Sequence, residues 1–244
     1  MSEKINRIVL ATQKGGVGKS TIATMLASYM YFVKDHSVVV IDADSPQHTI
    51  KKLRDRELAR FKQDEAMMRA FTESGKSQIY PITESRMDHV FERPAPDRPS
   101  TFEKASHPKI GADTVIIDTP GSVAIEGLGN ILRNVDRVII PLEPEEMSLV
   151  SATEFLTALG SIGSNQKERP KPIAFWNKVL WRSHEELVTA QNEVFRAAGI
   201  HVLTNYIPYS VKLKRTETRS TIFPVNFRAI DLSGFMEELY QTTK

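Results

Sequence analysis

The sequence predicts an α/β fold, a doubly wound and mostly parallel sheet with helices on both faces, and three observations carry that reading. Short apolar runs end in polar or acidic residues: Ile8–Ala11, Val38–Ile41, Thr114–Ile117, Val138–Ile140, Ile173–Trp176 and His201–Leu203. They are continuous rather than alternating, as strands buried on both faces are. Segments of helical period separate them, and one of these, at Ile22, Met25, Leu26, Tyr29 and Val33, opens directly after a glycine-rich turn. In sheets of this kind ligands lie at the C-terminal ends of the strands, so the polar residues that end the runs are the first candidates for a single site.

The first run leads into Lys14-Gly15-Gly16-Val17-Gly18-Lys19-Ser20-Thr21. Strand, glycine-rich turn and helix start form the context of a phosphate-binding loop. Glycine lets the backbone N–H groups of residues 15–18 turn inward toward phosphate oxygens, and the helix N-terminus adds its partial positive charge. Lys19 would reach the β- and γ-phosphates and the Ser20 hydroxyl would sit on Mg²⁺. Gln13 stands where the ordinary pattern has its first glycine, and a second lysine, Lys14, precedes Lys19 by five positions.

The second run ends in Asp42-Ala43-Asp44-Ser45-Pro46-Gln47. Two carboxylates spaced i, i+2 past a buried strand suit a Mg²⁺ ion that keeps most of its waters; the same pattern suits a turn that caps the next helix. Lys51–Glu73 reads as a charged helix with Leu53, Leu58, Phe61, Met68 and Phe71 as its buried stripe. Gln78–Ile82 reads as a strand. Glu92–Lys109, with four prolines and many charges, reads as a long surface loop. The third run ends in Asp118-Thr119-Pro120-Gly121, and an apolar strand closing on Asp is the arrangement in which a carboxylate holds Mg²⁺ or its waters. Trp176-Asn177-Lys178 and Ile207-Pro208-Tyr209 follow the later runs. The tail Gly234–Lys244 is short with an acidic polar face, where a membrane-surface helix carries basic residues; it reads as a terminal helix packed on the core.

Composition sets the remaining bounds. The 244 residues suit one undivided α/β domain, 1–244. Hydrophobic residues at 41% and charged residues at 25% are ordinary for a globule. The absence of cysteine removes disulfides, thiol catalysis and cysteine-held metal clusters. No apolar stretch of signal-peptide or membrane-span length occurs, so the expected location is cytoplasmic. The net charge of +2 says little, but Asn165–Ile230 holds eleven Lys/Arg against five Asp/Glu. Lys212, Lys214, Arg215 and Arg219 cluster there; a solvated surface and a polyanion-binding surface both fit such a cluster.

The segment Lys14–Thr21 resembles the deviant Walker A motif of the ParA/MinD family of ATPases. The ordered set that follows (Asp42-x-Asp44 with Ser45 inserted before Pro46, Asp118-Thr-Pro-Gly, Asn177, Ile207-Pro208) is similar to that family's motifs as far as roughly Pro224. The match is weakest between residues 51 and 110. The resemblance implies ATP and Mg²⁺ as cofactors, with Lys14, Lys19 and Asp44 as the catalytic residues. Lys14 would reach the partner subunit's nucleotide across an ATP-dependent homodimer, and Asp44 would place the attacking water. Lys14, Gly15, Gly16, Val17, Gly18, Lys19, Ser20 and Thr21 would bind phosphates, with Thr21 at the α-phosphate, while Asn177 and Pro208 would lie at the adenine. Ser20, Asp42 and Asp118 would hold the metal and its waters.

The resemblance favours the partition branch over the membrane-binding branch, because of the acidic tail. It implies non-specific DNA binding through Lys212, Lys214, Arg215 and Arg219 in the ATP state, nucleoid association in that state, and a ParB-like or analogous adaptor that stimulates slow hydrolysis. The short stretch before the first strand leaves no room for an N-terminal operator-binding domain. A positioning ATPase for a conjugation complex or protein assembly, and a metabolic synthetase of the same fold, are the alternatives. Iron–sulfur relatives are excluded by the missing cysteines.

Overall fold

The computed structural model describes residues 4–121, 125–161, 170–214, 220–223 and 231–244. Seven strands, β1 (Asn6–Leu10), β2 (Val38–Asp42), β3 (Ile82–Glu84), β4 (Thr114–Asp118), β5 (Arg137–Leu142), β6 (Lys171–Trp176) and β7 (His201–Val202), form one sheet in the order β3-β2-β4-β1-β5-β6-β7. Every neighbouring pair is parallel. The connection after β1 runs toward β2 and the one after β4 runs toward β5, so the two leave adjacent strands in opposite directions. That switch point opens a crevice at the strands' C-terminal ends, where the glycine turn, Asp42 and Asp118 all fall.

The continuous apolar strands are continuous because the sheet divides the core in two. Val9, Val39, Ile41, Val115, Ile117, Val138 and Ile140 point to one face, under α5 (Ile125–Arg133), α6 (Glu146–Ser161) and α7 (Trp181–Ala197). Ile8, Leu10, Val38, Val40, Ile116, Ile139 and Phe175 point to the other, under α1 (Lys19–Ser28) and the C-terminal α9 (Ser233–Thr243). α1 continues into a π-helical turn at Tyr29–Val33. α9 buries Phe235, Met236, Leu239 and Tyr240, as a core-packed tail should. Among the described residues no helix is long and apolar enough to cross a membrane.

Three expectations in the middle of the chain are corrected. Residues 51–73 form two helices, α2 (Thr49–Phe61) and α3 (Glu65–Glu73), because the Asp64 carboxylate accepts from the Ala66 and Met67 amides and starts a new helix. Of the expected stripe only Leu53 is buried; Leu58, Phe61 and Phe71 are half-buried and Met68 is exposed. The Phe61 and Phe71 rings meet each other edge-on at 5.7 Å, so the hairpin closes on itself and covers little of the sheet. The strand expected at 78–82 begins later, at Ile82, as the edge partner of β2. The expected loop at 92–109 contains α4 (Thr101–Ala105), started by a reciprocal cap between Ser100 and Glu103.

One buried polar clasp ties α2 to the chain just past the basic cluster. The Arg54 guanidinium donates to Thr221 Oγ1 at 2.7 Å, to the Thr221 carbonyl at 2.8 Å and to the Tyr80 carbonyl at 2.9 Å. Glu57 accepts from the Thr221 amide at 2.8 Å and from its hydroxyl. The second core depends on α9 in a similar way, through Phe235, which is 2% exposed and meets the Phe175 ring at 5.1 Å. Phe235→Ala is expected to destabilise the fold by about 3–5 kcal/mol, the usual range for emptying a buried aromatic position. Chemical denaturation with an unchanged slope and a lowered midpoint is the expected readout.

Candidate functional site

The glycine turn between β1 and α1 takes backbone angles that require glycine: Gly16 has φ 75° and Gly18, the residue before α1, has φ 97°. Close approach adds a second requirement. A Cβ on Gly18 would lie 2.7 Å from Asn177 Nδ2, and one on Gly121 would lie 2.6 Å from the Gly15 Cα and 3.3 Å from Lys19 Nζ. The Asp118-Thr-Pro-Gly turn therefore presses directly on the glycine turn, and Asn177 does so from the other side, donating to the Val17 carbonyl at 2.8 Å. Thr119 Oγ1 fastens the crossing by donating to the Leu10 carbonyl at 2.8 Å.

Beneath the turn lies a set of buried charges. Lys19 is 6% exposed, and its burial lowers the ammonium pKa while Asp118 and Asp44 act to raise it. Asp118 is 0% exposed, and burial pushes its carboxyl up to about 7; the nearby Ser20 hydroxyl and Lys19 restrain the rise, and Asp42 adds to it. Neither Asp118 oxygen has a hydrogen-bond partner of ordinary geometry among the described residues. An unsatisfied buried carboxylate is costly, and its placement beside Ser20 fits a Mg²⁺ ion held by few protein groups. No cluster of three or more His, Asp or Glu side chains among the described residues could hold a metal alone.

Asp42 is differently engaged. Its Oδ2 accepts from the Ile50 and Lys51 amides at 2.9 and 3.0 Å, and Oδ1 from the Asp44 amide at 3.3 Å. Those of Ile50 and Lys51 open α2, so Asp42 performs the helix-capping role from the end of β2, and His48 at the cap position makes no side-chain cap bond. Burial raises its carboxyl, against these amides. Asp44 is half-buried and lines the phosphate-side cavity with Gly16, Lys19, Ser20, Thr21 and Gly121. A second cavity of about 250 Å³ shares Gly16, Gly18 and Thr21 with it and extends along Asn177, Ile207 and Pro208. The two make one groove across the glycine turn. Pro208 is set there by main-chain bonds from Val179 to Ile207 at 3.1 Å and from Tyr209 to Val179 at 3.0 Å.

Of the basic cluster, Lys212 is exposed on α8 (Val211–Lys214), whose Leu213 lines the second cavity. The Lys214 side chain and all of Arg215, Arg219 and Pro224 lie outside the described residues. Lys14 is where the sequence reading was least complete. Its ammonium lies 3.0 Å from Glu143 and 2.8 Å from Glu145, both just past β5, and Lys178 Nζ lies 2.5 Å from the other Glu143 oxygen. Burial lowers the Lys14 pKa, but the bonds to Glu145 and Glu143 outweigh it and hold the ammonium above its usual value. The two partners of Lys14 and the Lys178–Glu143 pair are not legible from spacing, although Leu142-Glu143 repeats the pattern of an apolar strand ending on a carboxylate.

Comparison with known proteins bears on the family and the fold. A family model described as the CobQ/CobB/MinD/ParA nucleotide binding domain matches residues 8–222. The chromosome-partitioning ATPase Soj of Thermus thermophilus is 27% identical over 215 residues, 86% of this chain and 84% of that one. The chain also resembles a plasmid partition protein from Borrelia burgdorferi bound to AMPPNP, with a TM-score of 0.64 and 21% identity over 99% of this chain and 100% of that one. It resembles pNOB8 ParA bound to nonspecific DNA with a TM-score of 0.62 and 18% identity, over 98% of each chain. At these identities the two structural likenesses establish the α/β P-loop fold.

The orphaned carboxylate yields a stability prediction. An acid whose folded pKa is raised disfavours the fold once pH passes its unfolded value, here from about 3.8 up to about 7, where the penalty becomes complete. Asp118→Asn removes the buried charge. It also removes the field that Asp118 supplies to Lys19, so the expected readout is the pH dependence: the substitution is more favourable to the nucleotide-free chain at pH 8 than at pH 5. Thermal melting at the two pH values checks it; an equal or opposite effect at pH 8 would remove the buried-charge account.

Proposed function

The chain belongs to the CobQ/CobB/MinD/ParA nucleotide-binding family, and from that premise we propose that it is a partition-type ATPase. In this reading residues 1–244 act as one ATPase domain. The chain forms a nucleotide-sandwich homodimer with ATP, binds DNA non-specifically in that state, and is reset by slow hydrolysis that an adaptor protein stimulates. The observation that carries the reading is the groove itself. Lys19 and the unsatisfied Asp118 face each other electrostatically under the N-terminus of α1, and an adjoining cavity of base size is lined by Asn177 and Pro208.

Each residue has its own part in this reading. The amides of Gly15–Gly18 and the α1 N-terminus offer donors to the phosphates, Lys19 supplies charge at the β- and γ-phosphates, and Thr21 lines the cavity at the α-phosphate. Ser20 and Asp118 would hold Mg²⁺, which would supply positive charge against that developing on the transferred phosphoryl group. Asp42, its oxygens occupied by backbone amides, orders the metal's surroundings through the loop it braces. Asp44 places the attacking water. Phosphoryl transfer depends mostly on positioning and charge, so Asp44→Ala is expected to abolish hydrolysis and retain ATP binding. Phosphate release alongside fluorescent-nucleotide titration separates the two; unchanged turnover would take Asp44 out of the mechanism.

DNA binding is assigned to Lys212, Lys214, Arg215 and Arg219. Support comes from the position of α8, one face on the base-side cavity through Leu213 and Lys212 on the outside. Dimerisation would double the charge presented. Phosphate contacts of this kind carry no base readout and weaken steeply with salt. Retention on random duplex DNA is expected with ATP and not with ADP or without nucleotide, and is expected to fall on the order of tenfold or more between low and physiological salt. Dimerisation without DNA retention would leave the ATPase and overturn its DNA-positioning role.

A further inference from the structure

Glu143 sits at the end of β5 and is 4% exposed, held between two ammonium groups on different oxygens. Lys14 donates to Oε2 at 3.0 Å, and Lys178 Nζ lies 2.5 Å from Oε1 as an ion pair outside hydrogen-bond geometry. Lys178 also donates to the Gly16 carbonyl at 2.9 Å, and its backbone is fixed at φ 59°, a region that residues with a Cβ seldom occupy. The placement is thus built by the fold and spans the glycine turn and the end of β5. Glu145, the second partner of Lys14, has a side chain 66% exposed and is solvated by water when Lys14 leaves it. Glu143 has no such recourse, because a buried carboxylate that loses its partner is strongly disfavoured.

We propose that Lys178 is a positioning residue for Lys14, the counter-ion that stays on Glu143 and so permits Lys14 to leave its own subunit for the partner's nucleotide. The proposal rests on the cross-subunit role of Lys14 within the ATP-bound dimer. The two lysines occupy separate oxygens and do not compete, so the departure of Lys14 leaves Glu143 with one charged partner. Without Lys178, each protomer entering the dimer would strand a buried carboxylate. Lys178 therefore acts on the dimerisation equilibrium through Glu143, with no contact to the reacting phosphate required.

The test is a charge cycle in the full chain. Dimerisation is measured by analytical ultracentrifugation at saturating ATP and Mg²⁺ for the parent, Lys178→Gln, Glu143→Gln and the pair. Lys178→Gln is expected to weaken the dimer by roughly tenfold or more, since a buried charge loses its partner. Glu143→Gln is expected to leave the dimer as tight as the parent or tighter. Adding it to Lys178→Gln is expected to restore dimerisation, because a neutral amide in place of the Glu143 carboxylate needs no counter-ion. A pair as weak as Lys178→Gln alone would mean that Lys178 acts directly on nucleotide or interface, and an undiminished Lys178→Gln would overturn the proposal outright. A second series does not depend on dimerisation. In the nucleotide-free chain, Lys14→Ala and Lys178→Gln together are expected to lower the melting temperature by more than their separate shifts combined, and additive shifts would overturn the counter-ion role. A parent chain that fails to dimerise with ATP would sink the dimer reading, and the melting series would still decide whether Lys178 alone can cover Glu143.

Discussion

Lys19 cannot be placed under the glycine turn without something opposite it. A buried ammonium is costly in a medium of low dielectric, and Asp118 on β4 with Asp44 past β2 supplies the compensating field. Asp118 and Asp42 in turn are raised by burial, and the carboxylates around Asp118 raise it further, so the set is balanced only in part. The residual imbalance is concentrated on the two oxygens of Asp118, which have no hydrogen-bond partner among the described residues; under the proposed function a nucleotide with its metal would relieve it. The sheet order makes this arrangement available, because β2, β4 and β1 are adjacent and in register: Asp42 lies beside Asp118, and Asp118 beside Leu10. A parallel sheet buried on both faces has only its strand ends in which to keep such groups near solvent.

The same requirement explains why so many remote segments meet the glycine turn. Gly121 and Asn177 approach it so closely that a single added methyl group would collide, and Lys178 caps the Gly16 carbonyl. The turn is therefore packed directly against the segments that follow β4 and β6. From β6 the path continues to α8, because Ile207–Tyr209 is bonded alongside Val179. On the other side, the Asp42 cap fixes the start of α2, and Arg54 and Glu57 of α2 grip Thr221 just beyond the basic cluster. Both ends of the segment carrying Lys212–Arg219 are thus anchored to elements that begin at the nucleotide groove. A contiguous packed route of this kind is a physical basis for coupling, which population measurements have to quantify.

The sequence disclosed features whose causes are local. Strands covered on both faces read as unbroken apolar runs, and the turn from β1 into α1 announces itself through its glycines and Lys19. Asp42 was legible in two ways, and the amides of Ile50 and Lys51 show that the capping role operates. The α2–α3 region was misread because a helical stripe says nothing about what covers it: Phe61 and Phe71 pair with each other, and Asp64 starts a helix where periodicity ran through. Glu143 and Lys178 escaped notice for another reason. The Lys14–Glu143 contact joins residues 129 positions apart, and only the adjacency of β1 and β5 brings them together. No spacing rule finds such a pair.

The two aspartates past β2 differ in a way their spacing conceals. Asp42 has both oxygens committed to backbone amides, and rotating its carboxylate would uncap α2 and leave buried N–H groups without acceptors. It is therefore fixed, and suited to holding a loop. Asp44 lies two residues on, on a turn where its side chain reaches the phosphate-side cavity. Its own amide is anchored on Asp42, so the fixed residue positions the half-buried one. A carboxylate held this way from behind, with oxygens left for solvent, can orient a water without needing to be a strong base. In the proposed reaction such a role would go with slow intrinsic turnover, because orientation alone lowers the barrier less than a complete set of charges does. Lys14 is tied to Glu143 and Glu145 in its own chain, and under the proposed dimer reading that tie would make assembly of the full site conditional on a second copy.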